Sequence, residues 1–331
     1  MPLKVLGIGS PLVDYTVPVG GLFIEQNISG NKGGTVHIDR CERERIFSLL
    51  DASVPLRTPG GSAANTIYAL ARLGGNTSFC GKLGDDEDGR YFKSAMQDAG
   101  VAIDEVITVP GNGTGYCISL VTPDAERTMR SDLGVSTQLT AAEFQRCCPE
   151  KFDWIHFEGY TMELPDFPEF LRIAKSAGCR ISFDLASFEL AAKYRKLLYS
   201  TLPDCIDLLF ANVEEASALS GAGTISELLT HAGKLAPLAV IKDGAKGSYI
   251  NAETSVCHIP AVKLASPAID TTGAGDFYSA GFLYALSMGA SPEICGKCAS
   301  IPAGEIVQHA GSRPPENVWH SLRAEIAKLI N

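Results

Sequence analysis

Asp270-Thr271-Thr272-Gly273-Ala274-Gly275-Asp276 sets a glycine-rich turn and a carboxylate at the mouth of a helix. Phe277, Ala280, Gly281, Tyr284 and Met288 follow at helical spacing and give that helix an apolar face, so the turn's N–H groups point out along its axis. Such a helix N-terminus attracts phosphate. Gly273 and Gly275 let the backbone take left-handed angles and approach a ligand closely. Asp276 falls in the first turn, where a carboxylate repels bound phosphate unless it serves the chemistry. Accepting a proton from an attacking hydroxyl is a service that fits. The structural alternative is a tight turn in which Asp276 merely complements the helix dipole.

With 331 residues, 45% hydrophobic and 20% charged, the chain has the composition of a globular protein able to bury a large core. A net charge of −10 argues against nucleic acid as the main partner, because binding a polyanion takes clustered Lys and Arg. The run Arg40 to Arg45 alternates with Glu42 and Glu44 and reads as solvated surface. Ten scattered cysteines in a chain this long predict reduced thiols and a cytoplasmic location. Cys295 and Cys298 form a CxxC without a second pair, which reads as core packing. Met1-Pro2-Leu3-Lys4 runs straight into a strand with no targeting segment, and the apolar run from Phe277 to Pro292 is too short and too rich in Gly and Ser to span a bilayer.

Lys4 to Ile8 reads as a buried strand. The Gly7-Ile8-Gly9 at its end fails as a dinucleotide fingerprint, since Leu12 stands where the third glycine belongs and Pro11 interrupts the expected helix. Gly9-Ser10-Pro11-Leu12-Val13-Asp14 is instead a turn that delivers Asp14 off a strand end, with a plain surface acid as the alternative. Alternation over 15–19 and 35–39 predicts exposed strands joined by a Gly/Asn-rich loop, together a small β lid in which His37 and the turn Asn31–Gly34 read first as lid structure, with contact to substrate as the alternative. Pro59-Gly60-Gly61-Ser62-Ala63-Ala64-Asn65 joins an extended segment to a helix, with Ser62 as N-cap. Gly60 and Gly61 permit close backbone approach, and Asn65 offers a donor and an acceptor to a hydroxyl pair. Gly113 to Val121 supplies another lid strand, and Arg127 and Arg130 read first as surface ion pairs, with a reach to substrate or phosphates as the alternative.

From residue 150 the pattern is βα repetition, which implies a parallel sheet covered on both faces with functional residues at the carboxyl ends of its strands. Glu158, Asp184 and Asn212-Val213-Glu214-Glu215 fall at such ends. The Asn-x-x-Glu spacing also suits a capping box. Lys242-Asp243-Gly244-Ala245-Lys246-Gly247 ends a further strand with a glycine-rich turn but lacks P-loop spacing.

Four stretches in this order, Gly9–Asp14, Pro59–Asn65 continuing through Gly81-Lys82-Leu83-Gly84-Asp85-Asp86, Asn212–Glu215 with Lys242–Gly247, and Asp270–Asp276, resemble the ribokinase-like carbohydrate and nucleoside kinases, or PfkB family. The look is closest to the adenosine kinase branch. The resemblance covers nearly the whole chain and implies a three-layer α/β/α ribokinase-like fold with a mainly parallel central sheet and a small β-sheet lid. The large α/β domain would comprise 1–10, 55–104 and 122–331, and the discontinuous lid 11–54 and 105–121.

The activity implied is transfer of the γ-phosphoryl group of ATP to a hydroxymethyl group of a sugar or nucleoside. The long insertion between Asp14 and Gly60 favours an adenosine or ribose type over a six-carbon acceptor such as fructose or 2-keto-3-deoxygluconate. By the same resemblance Asp276 is the catalytic base, and Gly273, Ala274 and Gly275 form an anion hole. Asp14, Gly60, Gly61, Asn65 and Glu158 would bind the acceptor; Asn212, Glu215, Lys242, Gly244, Gly247 and Thr272 the nucleotide. Glu215 would reach Mg²⁺ through water, and Asp270, Thr272 and Ser312 fall where some relatives hold a monovalent cation such as K⁺. The helix from Cys298 to His309 would flank the adenine, and Phe23, Tyr116 and Tyr160 are candidates to stack on a base. A non-catalytic ligand-binding member of the same fold is the alternative from another class. An exposed lid strand predicts a homodimer through the lid.

Overall fold

The computed structural model describes residues 3–50, 55–124, 126–252 and 255–330. Its strands are β1 (Lys4–Ile8), β2 (Leu12–Pro18), β3 (Thr35–His37), β4 (Leu56–Gly60), β5 (Asn76–Gly84), β6 (Val106–Val109) and β7 (Gly115–Val121). They continue with β8 (Arg127–Asp132), β9 (Trp154–Glu158), β10 (Arg180–Asp184), β11 (Leu208–Asn212), β12 (Leu238–Lys242), β13 (Ser248–Ala252) and β14 (Ser255–Ile259). The larger sheet runs β14-β13-β12-β11-β10-β9-β1-β5-β6. Its pairs are parallel from β12 to β6, and β12-β13-β14 forms an antiparallel edge. Helices cover both faces, each over its own hydrophobic core. The residues of β9 are all buried without alternation, as a strand with two covered faces requires.

The pairing register places the chemistry. Asp184 sits opposite Glu158 and Asn212 opposite Lys242, so the carboxyl ends of β9 to β12 present four polar side chains along one rim. The helix Ala274–Ser287 points its N-terminus at this rim. It is buried around most of its girth rather than on one face, and Met288, expected on the apolar stripe, is exposed at its C-cap. Phe277 stacks on Trp319 of the C-terminal helix Val318–Ile330, with ring centroids 5.8 Å apart, which anchors the first turn from behind.

The smaller sheet, β3-β8-β7-β2-β4, forms the lid. Its membership corrects the boundaries expected from sequence. Leu56–Gly60 and Arg127–Asp132 belong to it, whereas Val106–Val109 pairs with β5 of the large sheet. Polar segments such as Arg127-Thr128-Met129-Arg130-Ser131-Asp132 carry no hydrophobic run to assign them, so pairing with β3 on one side and β7 on the other settles the matter. The expected lid end at 51–54 lies outside the described residues, as do Met1 and Pro2. The run Arg40 to Arg45, read as solvated surface, opens a lid helix, Arg40–Leu49, N-capped by Asp39 with Ile46 buried. Among the described residues no helix is long and apolar enough to cross a membrane.

Lid and body are tied at Asp88, in the helix Glu87–Asp98. Its buried carboxylate accepts from Arg43 Nη2 (2.9 Å), Arg57 Nη2 (2.5 Å) and the Tyr15 hydroxyl, all from the lid. The guanidinium of Arg43 also lies over Tyr116 and that of Arg57 over Tyr91. Removing the shared acceptor strands Arg43 and leaves Arg57 only its exposed partner Glu87, so Asp88→Ala is expected to lower stability by about 3 kcal/mol in urea unfolding. A loss within a few tenths of a kcal/mol of zero would show the cluster to be solvated surface.

Candidate active site

The chain crosses into the lid after Ser10 and returns through Gly61, so both crossings border the rim. Glu158 fastens them together: Oε1 accepts from Ser10 N and Oε2 from Ala63 N, each at 2.6 Å. Burial pushes its carboxyl up to about 7, against the pull of those two N–H groups. Glu158 lines the cleft, but both of its oxygens already brace the crossings.

Gly61, with φ +102°, is the N-cap of the helix Ser62–Leu73; Ser62, expected to cap, is its first residue. The Ser62 hydroxyl therefore turns outward and donates to Asp276 Oδ1 at 2.7 Å. Asn65 Nδ2 donates to Asp276 Oδ2 at 3.0 Å, and Asn65 Oδ1 accepts from Arg313 Nη1 at 2.8 Å. Asn65 thus serves Asp276 rather than standing free for a hydroxyl pair. Burial pushes the Asp276 carboxyl up to about 6, and the Ser62 and Asn65 hydrogen bonds hold it down from going further. A carboxylate with this value is ionised at neutral pH yet basic enough to take a proton in flight.

Gly273 adopts φ +78° and caps the helix, and Ala274 and Gly275 follow as its first residues. Gly275 is helical rather than left-handed. What it provides is room, because a Cβ there would stand 3.1 Å from Lys242 Nζ. Lys242 is paired with Asp184 Oδ2 at 2.7 Å, and Ser279 Oγ donates to the same oxygen at 3.0 Å. A cation, a helix N-terminus and a carboxylate therefore converge at one end of the rim. Lys246, in the same loop, is exposed and pairs with Asp243.

One continuous cleft of about 1070 Å³ joins these groups. Toward the lid it is lined by Asp14, Leu12, His37, Met129 and Tyr160; toward β12 by Gly244, Gly247, Val262, Ala303 and Gly304. Burial pushes Asp14 up to about 7, opposed by Arg313 and Arg127. Gly60 does not reach the cleft: it lies behind Asp14, where a Cβ would come within 2.3 Å of Asp14 Oδ2. Of the three aromatics proposed to stack, Tyr160 lines the cleft, while Tyr116 is buried beneath Arg43 and Phe23 packs against the lid core. The helix expected to flank the adenine spans Pro292–Ile306 and turns Ser300, Ala303 and Gly304 to the cleft.

Asn212 and Glu215 make the capping box that their spacing allows, with Glu215 N donating to Asn212 Oδ1 and Asn212 N to Glu215 Oε2, both at 2.8 Å. Both residues still line the cleft, and burial pushes Glu215 up to about 7, with Lys242 pulling the other way. Asp270 is differently placed. Oδ1 accepts from Thr272 N at 2.9 Å, while Oδ2 accepts from Gly311 N at 2.6 Å and from the Arg127 guanidinium of the lid. Ser312 Oγ accepts from Arg313 Nη1 at 3.2 Å. A lid arginine thus already supplies positive charge to Asp270, and Asp270, Thr272 and Ser312 in this arrangement do not fit a K⁺ ion. Arg130, by contrast, is buried and donates to the carbonyls of Ser29, Gly34 and Met129, which fixes a lid loop.

Residues 47–319 match the pfkB family carbohydrate kinase. The chain is 28% identical over 303 residues to the ribokinase of Arabidopsis thaliana, an alignment covering 86% of this chain and 76% of that one. It is 28% identical over 283 residues to the nucleoside kinase of Methanothermobacter thermautotrophicus, covering 84% and 87%. Among solved structures, adenosine kinase from Sinorhizobium meliloti matches with a TM-score of 0.88 and 28% identity over 98% of this chain and all of that one. The chain belongs to the PfkB family of carbohydrate kinases, phosphotransferases whose acceptor is an alcohol group of a sugar or nucleoside.

Proposed function

We propose that this kinase transfers the γ-phosphoryl group of ATP to the hydroxymethyl group of a nucleoside or ribose-type acceptor, with Asp276 as general base. The observation that carries this reading is the convergence of Asp276, the Gly273–Gly275 turn and Lys242 in one cleft. The acceptor binds at the lid end, where Asp14 takes hydrogen bonds from its hydroxyls. Its CH₂OH group approaches Asp276, which removes the proton as the oxygen attacks. The helix N-terminus and Lys242 offset charge on the equatorial phosphoryl oxygens, and the lid excludes water.

Asn212 and Glu215 would hold Mg²⁺ through its waters, as suits an ion that keeps most of its hydration shell. When bound with ATP, the ion neutralises phosphate charge. No step requires K⁺ at Asp270, because Arg127 serves that carboxylate.

Leu12, Met129 and Tyr160 make the acceptor end more apolar than a bare sugar needs, which supports an acceptor bearing a base. The test is ATP consumption with a panel of nucleosides, ribose, fructose and 2-keto-3-deoxygluconate. Turnover with a nucleoside or ribose at much higher kcat/KM than with the six-carbon sugars is expected. Preference for a six-carbon sugar contradicts the acceptor assignment, and binding without consumption contradicts catalysis altogether. Leu56 and Val36 are exposed on the two outer lid strands, β4 and β3, which supports pairing of lids in a homodimer. Sedimentation showing monomers alone at micromolar concentration removes that part.

A further inference from the structure

Asn65 steadies Asp276 in only one of its two amide orientations, and Arg313 locks that orientation from the other side. A guanidinium carries donors only, so it is the carbonyl oxygen of Asn65 that faces Arg313 Nη1 at 2.8 Å, which leaves Nδ2 facing Asp276 Oδ2 at 3.0 Å. In the flipped amide an NH₂ group would meet the guanidinium and an oxygen the carboxylate, two hydrogen bonds unmade at the floor of the cleft. Arg313 is itself held in place. Nη1 also donates to Ser312 O at 2.7 Å, and the guanidinium carbon lies 4.0 Å from the Tyr68 ring centroid. Its Nη2 is buried without a partner, a costly arrangement for a residue that only fills space.

We propose that Arg313 is a positioning residue for phosphoryl transfer: acting through Asn65, it holds the Asp276 carboxylate in the orientation that takes the acceptor's proton. This rests on Asp276 being the base. The charged groups facing Asp276 are Lys242, Asp184, Glu158, Glu215, Asp14 and Arg313, so losing Arg313 removes a cation from a cluster rich in carboxylates.

The experiment is single-turnover transfer across pH, with ATP affinity measured alongside. Arg313→Met is expected to lower the rate about 10- to 100-fold, to leave ATP affinity unchanged and to move the acid limb of the rate upward. Arg313→Lys, which keeps the charge and a donor, is expected to recover most of the rate and the wild-type limb. In an Asn65→Ala background Arg313→Met is expected to cost little more, because the influence runs through Asn65. A wild-type acid limb in Arg313→Met overturns the inference, as does an equal fold-loss with and without Asn65, in both cases with Asp276→Asn inactive. An active Asp276→Asn overturns the base assignment instead. Should Arg313→Met fail to fold, Arg313→Gln carries the test: an upward acid limb supports the inference and an unmoved one overturns it.

Discussion

Asp276→Asn is expected to fold, to bind ATP as the parent does, and to lose phosphoryl transfer by about 10²- to 10⁴-fold. The amide keeps the shape of the carboxylate, and its oxygen still accepts from Ser62 or Asn65, but it has no affinity for the acceptor's proton. Stability should hold or rise. The folded carboxyl titrates near 6 against an ordinary 3.8, so the folded state binds the proton more tightly. Its stabilising share is present below about pH 4 and is lost as pH rises through 6, leaving an ionised group that folding disfavours at neutral pH. A neutral amide escapes that penalty. Calorimetric titration with ATP and rapid-quench transfer check the two halves; parental transfer rates would remove Asp276 from the mechanism, and lost ATP binding would move it to the nucleotide subsite.

Lys242→Met is the second large effect. The ammonium faces the Gly273–Gly275 turn and is also the counter-charge of Asp184, a buried carboxylate that accepts further from Ser279 Oγ and Ala186 N. Loss of a preorganised charge aimed at the transferring group lowers kcat by about 10²- to 10³-fold. Stranding Asp184 is expected to lower stability by about 3 to 5 kcal/mol. The two effects separate in Lys242→Met with Asp184→Asn: removing the orphaned charge is expected to restore most of the stability and none of the rate. Recovery of rate in that double variant would reduce Lys242 to a structural counter-ion.

The parts of the site that were readable from sequence are those made by short stretches. The Gly273–Asp276 turn, the Asn212–Glu215 cap and the strand-end positions of Glu158, Asp184 and Lys242 follow from local spacing and βα repetition, and the structure brings them to one rim. What sequence did not disclose are pairings across long separations. Whether Ser62 caps its helix or turns to Asp276 depends on a partner 214 residues away. Asp270 looks like a cation ligand until Arg127 arrives from the lid, and Arg313, 248 residues from Asn65, stands in a polar loop with nothing local to single it out. The lid suffered for the same reason: β4 and β8 are polar segments whose sheet is chosen by their neighbours, and Arg40–Leu49 buries a single residue, too little for a periodic signal.

The central claim is that a carboxylate tuned near neutrality takes the acceptor's proton beside the anion turn. Its most direct measurement is the single-turnover transfer rate from pH 4.5 to 8.5, for the parent and Asp276→Asn, at saturating ATP and acceptor. The rate of the parent is expected to fall about tenfold per unit below a midpoint near 6, where the base becomes protonated, and that limb is expected to vanish in the variant. The same acid limb in both proteins would contradict the claim.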